Sequence, residues 1–269
     1  MTLKKRLFRW MKILVIIYCI IGIGLYYLQD KILFHPKVLP ADYRMSFDFP
    51  FKEVNIPYSA NSVMNIIQFT TVDTAVKGVI LYFHGNKENT IRYAPAAPSF
   101  TKYGWEVWML DYPGFGKSTG QLTEETLYKW SLTYYQLARA RFEPSKIIIY
   151  GRSMGSGIAA QLASVRDCRY LILESAYYSF PSIFNTYFPI YPYRKMIHFE
   201  FPTYKYLKAV HAPIICFHGT ADEIIPYRNG EKLIPILKEN DEFVTIRSAT
   251  HNDLGTFEVY TRKIDSLLK

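Results

Sequence analysis

Cysteine is scarce. Cys19, Cys168 and Cys216 are too few and too scattered for a disulfide framework or a Cys-rich zinc site. A His-Glu-x-x-His pattern and other metal-ligand spacings are absent, so no metal cofactor is expected. The chain also lacks an Asn-x-Ser/Thr acceptor, an internal repeat and a low-complexity tract. Nor is there a basic stripe. The net charge of +9 divides into +6 over residues 1–44 (eight Lys/Arg, two Asp/Glu) and +3 over the rest (24 against 21). Basicity confined to one end argues against a nucleic-acid partner. With 49% hydrophobic and 20% charged residues, global disorder is excluded as well.

The one long uncharged run is Ile13–Leu28 (ILVIIYCIIGIGLYYL). Sixteen helical residues rise about 24 Å, the short end for a bilayer core of ~30 Å. Trp10 and Met11 extend the stretch, Lys12 and Lys31 flank it, and Tyr26 and Tyr27 suit an interface. No small-residue cleavage pattern follows, which weakens the rival reading of a cleaved signal peptide. A buried helix of a soluble domain is the blander alternative, disfavoured because the run is apolar on all sides. Residues 1–12 thus read as a basic flank, 13–28 as a transmembrane helix, 29–49 as a juxtamembrane linker and 50–269 as the folded domain, with the lipid bilayer a partner through the helix. Lys4, Lys5, Arg6, Arg9 and Lys12 precede the span, against Lys31, Lys37 and Arg44 after it. That excess puts the N-terminus in the cytoplasm and the folded domain on the other side.

From Lys52 on, short apolar runs alternate with amphipathic ones. Residues 53–58 and 63–71 predict a hairpin. Strands follow at 78–86, 105–111, 146–150, 170–174, 213–218 and 243–248, with helices near 89–102, 123–141, 153–165, 229–239 and from 255. Pro95 and Pro98 should shorten or kink the first of these helices. Such alternation predicts an α/β fold: a mostly parallel sheet covered on both faces, with functional groups at the strands' C-terminal ends.

Four strand ends carry chemistry. Gly151-Arg152-Ser153-Met154-Gly155, between a strand and a helix, is a G-x-S-x-G turn so tight that side chains two residues either side of the serine would clash. A serine nucleophile needs a base. Of six histidines only His251 follows the last strand; His35, His84, His198, His211 and His218 lie elsewhere. The imidazole in turn needs a carboxylate. Asp222 is the candidate acid, with Glu223 and Glu174 as rivals; Asp111 and Asp253 read as turn or cap carboxylates. An oxyanion requires two backbone N–H donors, here Met154 and, after the 78–86 strand, Asn86. An ordinary serine in a glycine turn and a surface histidine are the bland readings of the same residues. Gly114–Ser118 is a decoy: a phosphate-binding loop needs Gly six positions before Lys117, where Asp111 stands.

LYFHGN, LDYPGFGKSTG, YGRSMGSG, HGTADEIIP and THND, in that order, resemble the α/β-hydrolase superfamily, above all its membrane-anchored α/β-hydrolase-domain serine hydrolases and their bacterial relatives. Animal members of that group include protein depalmitoylases and lysophospholipid lipases. The resemblance covers about residues 50–269. It implies the α/β-hydrolase fold, a Ser153–Asp222–His251 triad and Asn86 with Met154 as oxyanion donors. Two departures bear on substrate preference: Thr250 stands where Gly is frequent, and Lys87-Glu88 where small residues are usual.

Between two strands, 177–208 holds twelve Phe or Tyr among 32 residues and a charge of +3. The position is that of a cap. Its aromatics either wall an apolar substrate site or only pack the cap down. The expectation is a membrane-anchored serine hydrolase acting on an ester or thioester of an apolar acyl group. The alternatives are a serine peptidase or amidase, or a silent membrane-tethered binding module.

Overall fold

The computed structural model describes residues 3–71 and 75–269. Eight strands form one sheet: β1 (Phe51–Ser59), β2 (Ser62–Phe69), β3 (Gly78–Phe83), β4 (Trp105–Leu110), β5 (Ile147–Arg152), β6 (Tyr170–Glu174), β7 (Ile214–Gly219) and β8 (Glu242–Ile246). Their spatial order is β8-β7-β6-β5-β3-β4-β2-β1. Only β2 runs against the others, paired antiparallel with β1 and β4.

The central strands are buried on both faces and largely apolar, with Glu106 in β4 and Arg152 at the end of β5 as the charged exceptions. Successive side chains alternate between faces. Val79, Leu81, Ile147 and Ile149 therefore join one core layer with Trp130, Tyr134 and Ile158. Ile80, Tyr82, Ile148 and Tyr150 join the other with Phe100, Phe217 and Tyr260. The first layer packs α2 (Glu124–Arg139) and α3 (Met154–Val165), and the second α5 (Glu258–Leu268). Thr123 caps α2, its hydroxyl accepting from Thr126 N–H at 3.0 Å ahead of Glu124 and Glu125.

Proline breaks the other crossovers. The 89–102 helix is split into Thr90–Tyr93, Ala94–Ala96 and Pro98–Thr101. The helix expected over 229–239 is Tyr227–Gly230 continued as a 3-10 turn, Glu231–Ile236, with Pro235 inside it. The cap region contains α4 (Phe180–Tyr187), whose N-terminus is held by Ser179.

The N-terminal helix, α1 (Leu3–Leu33), runs well beyond the apolar core at both ends; its most apolar window has a mean hydropathy of 2.1 and is almost wholly exposed. Residues 29–49 differ from a free linker. His35–Pro36 pairs with Lys87–Glu88, Val38 bridges to Gly116, and Phe34, Leu39 and Met45 are buried. Phe47 and Phe49 close on Phe51 and Phe69, which anchors this stretch to the hairpin.

Candidate active site

The turn after β5 holds Ser153 at φ +53°, ψ −122°, left-handed strain that puts its hydroxyl above the sheet. Its N–H donates to Glu174 O at 2.8 Å. The flanking glycines are required by close approach. A Cβ on Gly155 would lie 2.1 Å from Phe83 O, and one on Gly151 would lie 2.6 Å from both Ala159 Cβ and Gly155 O.

Opposite Ser153 stands His251, with Nε2 3.0 Å from Oγ. Its Nδ1 is 2.8 Å and 3.0 Å from the two Asp222 carboxylate oxygens. All three side chains are buried. Asp222 also accepts from Ile224 N–H at 3.0 Å and Ile225 N–H at 2.8 Å. Burial alone raises its pKa. The hydrogen bond and charge of His251, together with the Ile225 amide, outweigh that and hold the carboxyl below its ordinary value. An ionised Asp222 keeps the proton on Nδ1, leaving Nε2 to accept from the serine hydroxyl.

The rival acids are engaged elsewhere. Glu174 pairs with Arg152 Nε at 3.1 Å and accepts from Tyr150 OH. Glu223 accepts from the backbone N–H of His251 at 3.4 Å and does not reach its ring. The other histidines are also accounted for. His84 Nδ1 lies 2.7 Å from Gly85 O, and buried His218 has Nε2 2.8 Å from Ile225 O. Burial, the largest influence, holds His218 below the ordinary imidazole value. His198 and His211 are exposed beside Asp30 and Asp167. Asp111 is fully buried and accepts from both the N–H and the hydroxyl of Thr90, and Asp253 accepts from Thr250 N–H at 2.7 Å.

The N–H groups of Met154, at the start of α3, and of Asn86, in the loop after β3, have no hydrogen-bond partner among the described residues. Both residues line the cavity that contains Ser153. Asn86 is fixed twice: its Nδ2 donates to Leu33 O at 2.5 Å, and its carbonyl accepts from His35 N–H at 2.9 Å.

That cavity has a volume of about 410 Å³. Phe180, Ile183, Phe184, Tyr187 and Phe188 of the cap form one wall, and Ile224 and Ile225 another. Sequence reasoning missed two contributions. Gln29, Ile32 and Leu33, at the end of α1, form a third wall. Arg152 donates to His251 O and Asn252 Oδ1, each at 3.3 Å, and so ties the histidine loop to Glu174. A lone polar residue, Gln29, closing an apolar run was the available signal for the first. Nothing in the local sequence marks the second.

A sheet with only its second strand reversed, a strained serine between β5 and α3, an aspartate after β7 and a histidine after β8 make up the α/β-hydrolase fold, and this chain has that fold. A family model described as serine aminopeptidase, S33, matches residues 74–205. The chain is 26% identical over 244 residues to the uncharacterized protein YfhR of Escherichia coli K12, covering 87% of this chain and 81% of that protein. It is 27% identical over 190 residues to the YfhR of Salmonella typhi, covering 65% and 64%. Among solved structures, the Pyrococcus furiosus esterase Pf2001 superimposes with a TM-score of 0.65 at 18% identity, over 87% of this chain and 98% of that one. An α/β-hydrolase of Vibrio vulnificus gives 0.65 at 18%, over 81% of each chain. At such identities the likeness is one of fold.

Proposed function

We propose that the protein is a membrane-anchored serine hydrolase that cleaves carboxylic ester or thioester bonds of apolar acyl substrates. One observation carries the reading: Ser153 Oγ, His251 Nε2 and Asp222 lie in an unbroken hydrogen-bonded series at the wall of an apolar cavity. His251 takes the Ser153 proton as Oγ attacks the acyl carbonyl. The oxyanion that forms is met by the N–H groups of Asn86 and Met154. Asp222 stabilises the imidazolium, which then protonates the leaving alcohol or thiol. Water, deprotonated by the same histidine, releases the acid from Ser153. The reaction needs no cofactor. α1 tethers the domain to a bilayer, with the N-terminus cytoplasmic and the catalytic domain on the far side.

The family model's description raises peptide hydrolysis as the second reading. The cavity favours acyl groups, because Glu223 is the only carboxylate among its lining residues and the rest are predominantly apolar. Labelling with a fluorophosphonate probe, followed by panels of acyl esters, acyl thioesters and aminoacyl amides, tests both readings. Ester or thioester turnover with loss of labelling in Ser153→Ala supports the proposal. Turnover of amides alone would replace it with the peptidase reading. An intact fold without labelling would leave a binding module.

A further inference from the structure

The helix that leads to the domain also closes its cavity. Gln29, Ile32 and Leu33 face the cap across the space beside Ser153. Gln29 is buried although it ends an apolar run: its Nε2 donates to Met196 O at 2.8 Å, and its Oε1 accepts from His198 N–H at 2.8 Å. Further down the helix, Tyr18 stacks on Tyr191 at 4.6 Å, donates to Ile190 O at 3.0 Å and accepts at its carbonyl from Tyr191 OH at 3.1 Å. The cap thus descends α1 from Gln29 to Tyr18, eleven residues or about 16 Å.

That descent enters the segment read as lying in hydrocarbon. The cap tip, Phe188 to Tyr193, has no charged residue, and Ile190 is 70% exposed. Arg194 and Lys195, both exposed, follow directly, where lipid phosphates would meet them. The cavity rim is apolar and open at Ile32, Tyr187 and Ile224, each among the exposed large hydrophobics. An apolar rim beside a lipid-facing helix offers an acyl chain a path that never crosses water.

We propose that α1 is both anchor and pocket wall, and that the cavity opens sideways into the leaflet on the catalytic domain's side, so that the substrate is the acyl chain of a membrane-resident ester. The inference rests on Ser153 as nucleophile and on α1 as a membrane span. Binding of the chain against Ile32 and the cap sets its carbonyl over Ser153 Oγ, while the polar remainder of the ester stays at the headgroup level.

Two measurements on the full chain in phosphatidylcholine–phosphatidylglycerol vesicles decide it. The first is the ratio of turnover of p-nitrophenyl palmitate to p-nitrophenyl acetate. Ile32→Trp, which projects bulk from a half-exposed position into the cavity, should lower that ratio at least tenfold, chiefly through KM for palmitate. Tyr27→Trp, outside the cavity lining, should not. The second is tryptophan quenching by lipids brominated along the acyl chain. Ile190→Trp should add an emission component quenched by these lipids beyond the wild-type level. An unchanged ratio in a labelled, acetate-active Ile32→Trp protein overturns the pocket wall. An Ile190→Trp signal blind to brominated lipid overturns the leaflet opening. If wild type neither labels nor hydrolyses any ester, the serine-hydrolase reading has failed instead, and the quenching result still decides the depth of the cap.

Discussion

At the scale of single residues, Ser153, His251 and Asp222 depend on one another's protonation. Removing any one should cost orders of magnitude in rate, because they act as a unit. Ser153→Ala deletes one hydroxyl from a turn whose shape is set by the backbone. Probe labelling and ester turnover should vanish while the melting temperature holds within a few degrees. Asp222→Asn should lower kcat about 10⁴-fold, as it strands the imidazole in the wrong tautomer. Glu174→Gln should cost much less, since Glu174 touches Arg152 and Tyr150 and not the histidine ring. A reversed ranking of these two kcat values would transfer the acid to β6.

His218 gives a pH signature of stability. Its folded pKa lies below the ordinary imidazole value of ~6.5, because burial disfavours the charged form. Below that pH the unfolded chain binds a proton the folded chain refuses, so stability falls as pH drops. His218→Asn lacks this term. The stability difference between wild type and variant should therefore shrink as pH falls from 7 to 5, read from denaturant midpoints. A constant difference would mean that His218 accepts its proton in place.

At the scale of elements, the tight places are backbone against backbone. Gly155→Ala drives a methyl into Phe83 O and His84 O, which cannot yield as side-chain ends do. The cost should reach or exceed the upper end of the ~1–3 kcal/mol usual for overpacking. Gly24→Ala on α1 meets nothing within 4 Å and should leave stability unchanged or raised. Thermal melts of the two variants in detergent test the contrast. Gln29→Ala leaves Met196 O and the His198 N–H without their partner at a buried seam, a loss of about 1–3 kcal/mol. Limited proteolysis should then cut the 188–198 stretch faster.

Much of this was legible in the sequence, for physical reasons. Runs such as GVILYF and IIIY are continuous and free of charge, as a strand buried on both faces requires, so the parallel sheet and its strand ends could be placed. The strand ends in turn named the residues that meet at Ser153. Strand order was not legible, and neither was the contact between α1 and the cap. Tyr18 and Tyr191 are 173 residues apart, and their stacking follows from tertiary packing that leaves no local period. Proline placement foretold the broken 89–102 helix, whereas Pro235 was overlooked in the one after β7.

At the scale of the whole molecule, charge is distributed to one end. On the proposed membrane anchoring, the excess of Lys and Arg before the apolar run predicts that an alkaline phosphatase fused after Lys269 is active, and that a fluorescent protein fused there is dark. The opposite pair of results would turn the protein over in the membrane.

The joint between α1 and the body is one residue long. α1 ends at Leu33, and His35 is already paired with Lys87 in the loop that carries Asn86. With Leu33 O held by Asn86, the connection has no slack. A body fastened so cannot swing on its stalk, and on the proposed anchoring the height of Ser153 above the bilayer midplane becomes a fixed dimension of the molecule. If the proposed anchoring and ester chemistry hold, the protein works as a caliper, sorting esters by how deep their carbonyl lies and not by the alcohol they carry.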